Sequence, residues 1–179
     1  KILKRIFDIL LSLFLIITLI LPMLLIFILI IIFDRQNPIY FSKRIGINKS
    51  TFLMPKFRTM KINTPQVATH LFDDTENISK LGNLLRRSSL DEIPQLFSIL
   101  FGYMSIVGPR PALFNQYDLI KLRDDKNINQ ILPGLTGLAQ IKGRDTNSLL
   151  EKVDLDYEYM NKRSFLFDLI IIYKTFFII

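Results

Sequence analysis

The sequence predicts a mostly helical α+β fold with one long apolar N-terminal segment, a short β-hairpin and several amphipathic helices around a small core. Three observations predict it. Residues Ile9 to Phe33 carry no charge and exceed the roughly 20 residues needed to cross a bilayer. Pro38-Ile-Tyr-Phe-Ser and Ser50-Thr-Phe-Leu-Met flank Lys43-Arg44-Ile45-Gly46 as two extended arms around a basic turn. Beyond residue 80, apolar positions recur mainly at helical spacing.

Composition narrows the setting. At 179 residues the chain accommodates one domain plus an appendage, expected here as a membrane segment over residues 1–35 and a membrane-associated cytoplasmic domain over 36–179. Half of the residues are hydrophobic, yet Lys and Arg number 23 against 16 Asp and Glu, a formal charge of +7. Mean hydropathy is +0.32 and the pI is near 9.7. Apolar and basic character together point to a membrane surface with anionic lipids, or to polyanionic substrates such as nucleotides. The basic residues are scattered and form no basic, aromatic-interleaved module, so nucleic acid is not expected as a partner. The absence of cysteine excludes disulfides, thiolate zinc sites and a cysteine nucleophile. His70, without a His or Cys neighbour, reads as a solvated loop residue.

The apolar segment is too long for a signal-peptide core and lacks a small-residue cleavage site. Lys1, Lys4 and Arg5 precede it and Arg35, Lys43 and Arg44 follow it, so the positive-inside rule is best met with both ends cytoplasmic. Pro22 lies near its middle, removes a hydrogen bond to Thr18, and divides it into arms of roughly 18 Å at 1.5 Å per residue. Neither arm crosses a core ~30 Å thick. A re-entrant helix–break–helix and a kinked span both satisfy these facts.

After the hairpin, Lys56-Phe57-Arg58-Thr59-Met60 alternates basic and apolar residues, as a solvated strand edge or as a phosphate contact. Asn63 to Ser79 reads as a loop, with Asp73 and Asp74 as solubilising residues. Leu81, Leu84 and Leu85 predict a short helix that delivers Arg86 and Arg87 to Asp91 and Glu92. Those adjacent carboxylates stand about 100° apart on a helix, so one can face a substrate while the other holds a metal. A blander reading makes Asp91 the N-cap of a helix that Pro94 begins. Gly108-Pro109-Arg110-Pro111 then returns a second arginine, fixed between prolines.

Further on, Ala112 to Gln130 reads as a charged surface helix and Leu132 to Gly137 as a breaker-rich turn whose glycines could approach a phosphate. Gly143-Arg144-Asp145 closes that loop, and Leu149 to Lys162 reads as an amphipathic helix. The tail from Phe165 to Ile179 is apolar apart from Asp168 and Lys174, and should lie on the core or in the membrane interface. Asp168 is expected either as a buried partner for an arginine or as part of the site.

Lys56-Phe-Arg-Thr-Met, Ser89-Leu-Asp-Glu-Ile-Pro-Gln-Leu, Met104-Ser-Ile-Val-Gly-Pro-Arg-Pro, Pro133-Gly-Leu-Thr-Gly-Leu-Ala-Gln and Gly143-Arg144 follow one another behind a single hydrophobic segment. In that order they resemble the bacterial sugar transferase family, and nearly the whole chain resembles its small monotopic phosphoglycosyl transferases. The resemblance implies transfer of sugar-1-phosphate from a UDP-sugar to a polyprenyl phosphate, usually undecaprenyl phosphate, with release of UMP. It implies a bacterial inner-membrane protein, its catalytic domain on the cytoplasmic face, in contact with membrane lipids, and it is compatible with a homodimer. It also implies that the membrane segment is re-entrant and breaks at Pro22.

By the same resemblance Asp91 is the nucleophile of a covalent phosphosugar intermediate and Glu92 the residue associated with Mg²⁺. Lys56, Arg58, Arg86, Arg110, Arg144 and Asp168 complete the expected substrate- and phosphate-binding set. A carboxylate attacking a pyrophosphate meets like charge, which is why the site needs a metal and several cations. The chain departs from the family pattern at Leu21, where serine commonly precedes the proline, and at Ser98, Tyr103 and Leu132. A membrane-anchored protein that holds anionic lipid, or a non-catalytic scaffold, would use the cations but would not need an acid at Asp91.

Overall fold

The computed structural model describes residues 2–62, 64, 77–143 and 147–177. The apolar segment is one α-helix, α1 (Ile2–Leu29), closed by a π-helical turn over Ile30–Asp34. Pro22 sits inside α1, which runs through it as one continuous α-helix, so the expected break into two helices is not seen. A proline in a helix interior costs ~3 kcal/mol. Met23 and Ile26, directly beyond it, are buried against the core and offset that cost at about 1.5–3 kcal/mol each. The Thr18 hydroxyl donates to the carbonyls of Phe14 and Leu15 at 3.0 and 3.1 Å, one turn back from the group that Pro22 leaves unpaired.

Asp8, Ser12, Ile16, Met23, Ile26 and Ile30 are buried and Leu19 packs against the core, in steps of three and four along one face of α1. The helix therefore lies along the rest of the molecule. Its other face, from Leu10 and Phe14 through Leu21 and Leu25 to Phe33, is exposed and apolar. So large an unpartnered apolar surface marks contact with membrane or partner.

Strands β1 (Ile39–Ile45) and β2 (Thr51–Phe57) form the hairpin, antiparallel, with Tyr40 opposite Lys56 and Arg44 opposite Phe52. Lys43 and Arg44 lie within β1; the turn is Gly46 to Ser50, with Asn48 and Lys49 at positive φ. The basic residues thus stand on the strand and not in the turn that the sequence predicts for them. Strand alternation puts Tyr40, Ser42, Arg44, Phe52, Met54 and Lys56 on one face and Phe41, Leu53 and Pro55 on the other.

Helix α2 (Lys80–Arg87) is capped by Ser79, whose hydroxyl accepts from the Gly82 N–H at 2.8 Å. Leu85 is buried beneath it while Leu84 faces outward. A 3₁₀ turn, Leu90–Glu92, precedes α3 (Gln95–Leu100), and β3 (Ser105–Val107) follows. Helix α4 (Tyr117–Asp125) is shorter than the charged helix expected over Ala112 to Gln130, and its Arg123 is buried.

The glycine-rich stretch read as a turn is strand β4 (Gly134–Thr136), paired in parallel with β3. A Cβ on Gly134 would stand 2.1 Å from the Gly108 nitrogen, and one on Gly108 would stand 2.5 Å from the Leu132 carbonyl oxygen. Those glycines serve backbone-to-backbone approach. Helices α5 (Leu138–Lys142), α6 (Leu149–Lys162) and α7 (Phe165–Thr175) complete the order, with α6 spanning the residues expected. The main core gathers Ile16, Met54, Ile99, Met104, Val107, Tyr159 and Ile171, so the apolar tail does lie on the core.

Candidate active site

Asp91 and Glu92 emerge from the 3₁₀ turn because Ser89 adopts a left-handed conformation at φ 54° and redirects the chain after α2. The N-cap position of α3 is Pro94, with no side-chain cap, so Asp91 is not the helix cap of the blander reading. Asp91 is buried, and among the described residues its carboxylate makes no direct hydrogen bond or ion pair. Burial pushes its pKa up. Lys56, Arg86 and Arg110 pull the other way, and Glu92 adds to the rise.

Glu92 is in the opposite condition. Lys56 Nζ donates to Oε1 at 2.7 Å, and Arg110 grips the carboxylate with two nitrogens at 2.6 and 3.3 Å. Burial alone would raise its pKa, but Arg110 and Lys56 outweigh it and hold the group well below the usual carboxylate range. Burial in turn lowers the pKa of Lys56, against the pull of Glu92. One acid is clamped and the other is held ready.

Each cation arrives by a different route. Lys56 projects inward from the end of β2, Arg86 from the last turn of α2, and Arg110 from the loop after β3. That loop is held from several sides. Arg123 donates to the Arg110 carbonyl at 2.8 Å and Arg44 to the Pro111 carbonyl at 3.1 Å. The Gly134 N–H donates to the Pro109 carbonyl at 2.9 Å. Arg123 is itself fixed by Asp156, which accepts from two of its nitrogens at 2.6 and 3.0 Å in a buried pair.

Just upstream, Asp8 accepts from the Ile106 N–H at 3.0 Å, while Lys4 donates to the Val107 carbonyl at 3.0 Å and the Tyr159 hydroxyl lies 3.1 Å from the same oxygen. Asp168 joins this cluster, accepting from Lys4 at 2.6 Å and Tyr159 at 2.8 Å. Burial and the adjacent Asp168 raise the Tyr159 pKa, so the phenol stays a donor.

The profile of the family described as "Bacterial sugar transferase" matches residues 1–179. The chain belongs to the bacterial sugar transferase family. An exopolysaccharide production protein, ExoY, of Sinorhizobium fredii is 37% identical over 96% of the chain and 83% of its own length. The uncharacterized sugar transferase EpsL of Bacillus subtilis is 35% identical over 97% of the chain and 85% of its own length. The UDP-glucose:undecaprenyl-phosphate glucose-1-phosphate transferase of Escherichia coli is 38% identical over 99% of the chain, which spans 40% of that protein.

Within this bacterial sugar transferase the expected set is only partly assembled. Asp91, Glu92, Lys56, Arg86 and Arg110 come together. Arg58 does not join them: its Nε donates to the Asn37 carbonyl at 2.8 Å and its guanidinium stacks on Tyr40. Asp168 pairs with Lys4 of α1 rather than with an arginine, in a structural cluster behind β3. Arg144, His70, Asp73 and Asp74 lie outside the described residues.

Arg44 is the cation that the sequence reading missed. It is half-buried, and desolvation together with Arg110 pushes its pKa down to about 10 while Glu92 opposes. The signal was its parity with Lys56 across the hairpin, since both even-numbered positions face inward. Asp8 and Asp156 were missed as well, a carboxylate beside an apolar run and one among the acids of an amphipathic helix.

For Mg²⁺, no group of three or more candidate ligands forms among the described residues. The ion usually takes one or two carboxylates and completes its shell with water and substrate phosphates. The acid pair fits that chemistry. Glu92 accepts three hydrogen bonds and keeps a lone pair on Oε2, beside an Asp91 whose oxygens accept none from the described residues.

Proposed function

We propose that this chain transfers sugar-1-phosphate from a UDP-sugar to a polyprenyl phosphate through a covalent intermediate on Asp91. The observation that carries this reading is the unequal treatment of the two acids. Glu92 is neutralised by direct pairing, whereas Asp91 is desolvated and, among the described residues, unpaired beside the same cations. A carboxylate so placed is a nucleophile whose oxygen is not spent on hydrogen bonds.

In the first half-reaction an Asp91 oxygen attacks the phosphorus that bears the sugar. The bond from that phosphorus to the bridging oxygen breaks, UMP leaves with the electron pair, and an acyl phosphate is left on the enzyme. In the second, a phosphate oxygen of the acceptor attacks the same phosphorus and Asp91 is released as a carboxylate. Arg86, Arg110 and Lys56 offset the negative charge that gathers as the nucleophile approaches and as UMP departs. Arg44 supports them by holding the Pro111 carbonyl. Mg²⁺, held by Glu92 with the donor phosphates, would neutralise further charge on the leaving group.

The relatives named for glucose-1-phosphate or galactose transfer to a lipid carrier support the donor and acceptor classes. The exposed face of α1 supports membrane residence. Both ends of the apolar segment are tied to one body, through Lys4 and Asp8 at the start and through Ile30 and the Ser79–Asp34 hydrogen bond at the end. That arrangement supports a monotopic, re-entrant segment in the bacterial inner membrane with both ends cytoplasmic.

The test is incubation with a panel of UDP-sugars and Mg²⁺ without acceptor. Expected are up to one equivalent of UMP and a phosphosugar mass on the peptide carrying Asp91, both absent in Asp91→Asn. An adduct mapped to Glu92, or turnover only when donor and acceptor are present together, would overturn the assignment. No UMP from any donor would leave the scaffold or lipid-binding reading standing.

A further inference from the structure

The block from Ser89 to Leu96 contributes its two acids to the proposed reaction, while its glutamine has no part there. Gln95 is 1% exposed, and its Nε2 is buried without a hydrogen-bond partner among the described residues. A buried amide donor left unpaired gives up its hydration for nothing in return. Asp91, four residues earlier, has the complementary defect: it is buried, and its carboxylate accepts no hydrogen bond from the described residues.

The backbone brings the two together. The 3₁₀ turn Leu90–Glu92 runs into α3 without leaving helical geometry, since Ile93 (φ −53°, ψ −40°) and Pro94 (φ −59°, ψ −18°) are both right-handed helical. Across the junction the Ile93 N–H donates to the Leu90 carbonyl at 3.4 Å and the Leu96 N–H to the Ile93 carbonyl at 3.0 Å. Residues four apart on a helix have Cβ atoms about 5–6 Å apart, and a helical side chain leans toward the N-terminus. The Gln95 carboxamide therefore extends back over the turn that carries Asp91. Turn and helix also pack on the same strand, β2, which supplies Lys56.

A donor and an acceptor one turn apart, each buried and neither bonded to the other, fit a contact made only once Asp91 reacts. We infer that the Gln95 amide donates to Asp91 in the phosphosugar intermediate, at the carboxyl oxygen not bonded to phosphorus, and so positions the acyl phosphate. This rests on the proposed function for the role of Asp91. When the O–P bond breaks in the second half-reaction, negative charge returns to that carboxyl group and the hydrogen bond strengthens. The same bond forms as Asp91 attacks the donor, so both half-reactions use it. A neutral amide serves here because a cation bonded directly to Asp91 would hold the resting carboxylate about twice as strongly and blunt its attack.

Gln95→Met keeps the length of the side chain and removes the donor. In single-turnover measurements it should slow both half-reactions about a hundredfold, the typical effect of losing one such donor, with the KM for the UDP-sugar unchanged. Its Tm should equal or exceed that of wild type, because the orphaned donor is gone. Long incubation with donor and no acceptor should still load the variant with phosphosugar. In that species, made with isotope-labelled aspartate, the acyl-phosphate carbonyl band should lie at higher infrared frequency than in wild type, since a hydrogen bond weakens the C=O bond it meets. Gln95→Asn, whose carboxamide is set back by one methylene, should reproduce the slower rates and the shifted band.

Wild-type rates in Gln95→Met, or an unshifted band, would overturn the inference. So would a lower Tm with unchanged rates per folded molecule, or loss of folding in both variants, either of which would make Gln95 a packing residue or the holder of a buried water. A higher donor KM at unchanged maximal rate would make it a contact to the bound donor and overturn the inference as well. A wild type that releases no UMP and gains no phosphosugar would remove the transferase reading itself, and this inference with it.

Discussion

Asp91 shows how strongly environment decides the work of a side chain. It and Glu92 are neighbours in one turn and have the same chemistry, but the turn presents one to Lys56 and Arg110 and leaves the other unpaired among the described residues. Because burial raises the Asp91 pKa, the folded state favours its protonated form. Stability is therefore highest below the ordinary aspartate range, and it falls as pH rises through the window between the unfolded and the raised folded value. Two outcomes are expected. Asp91→Asn should have a higher Tm than wild type at neutral pH, with the gain vanishing at low pH, where both forms are uncharged. The acid limb of the half-reaction should lie above that of a free aspartate, because attack needs the ionised form. Thermal melts and the pH profile of UMP release check the pair; a destabilised Asp91→Asn would mean that the carboxylate has a native partner.

The same contrast governs Arg110. Its two nitrogens meet both oxygens of Glu92, a fork that lysine lacks. Arg110→Ala should lose most activity and Arg110→Lys should recover only part of it. Full rescue in steady-state turnover would reduce Arg110 to a point charge.

At the scale of elements, the loop after β3 is held in place by helices that never touch the acids. The Arg123–Asp156 pair ties α4 to α6 and also grips the Arg110 carbonyl. Removing one member of a buried pair leaves an uncompensated charge, so Asp156→Asn should cost about 3–5 kcal/mol in denaturant unfolding. Replacing both, Arg123→Met with Asp156→Leu, should restore most of that stability, since apolar substitutes of similar size are often neutral. Transferase turnover should stay low in the double variant because the Arg123 hydrogen bond to the Arg110 carbonyl is then lost. Recovered turnover would make the pair purely structural. Asp168 behaves differently, because it joins Lys4 and Tyr159 behind β3. Asp168→Asn should lower stability while UMP release per folded molecule holds.

For the whole molecule, α1 is a structural beam with one exposed apolar face, which the proposed function makes its membrane anchor. Its buried stripe carries Asp8 and Ser12 near the start and Met23, Ile26 and Ile30 near the end, so docking to the core uses one side of the helix and leaves the other exposed and apolar. Cysteines at Ile2 and Gln36 should therefore both react with a reagent confined to the cytoplasmic side. Pro22→Leu removes the helix-weakening residue and should turn some molecules into true spans, seen as opposite-side labelling. Unchanged labelling would show that packing of α1 against the core, not the proline, sets the topology.

The family, the long apolar segment, the hairpin, α6 and the acid pair were legible in the sequence because each rests on local pattern: run length, alternation, helical period or adjacent residue types. The residues that position the site were not, because their meaning depends on what packs against them. Nothing local distinguishes buried Arg123 and Asp156 from the solvated charges around them, and Arg58 and Lys56 share one alternating stretch although only Lys56 reaches Glu92. Pro133 to Gly137 has the composition of a turn, and only pairing with β3 makes it a strand. Sequence by itself determined the chemical inventory and the long apolar N-terminal segment. Tertiary structure decided which acid is neutralised, which cations face it and what holds them, since burial and opposing charge are properties of the assembled neighbourhood.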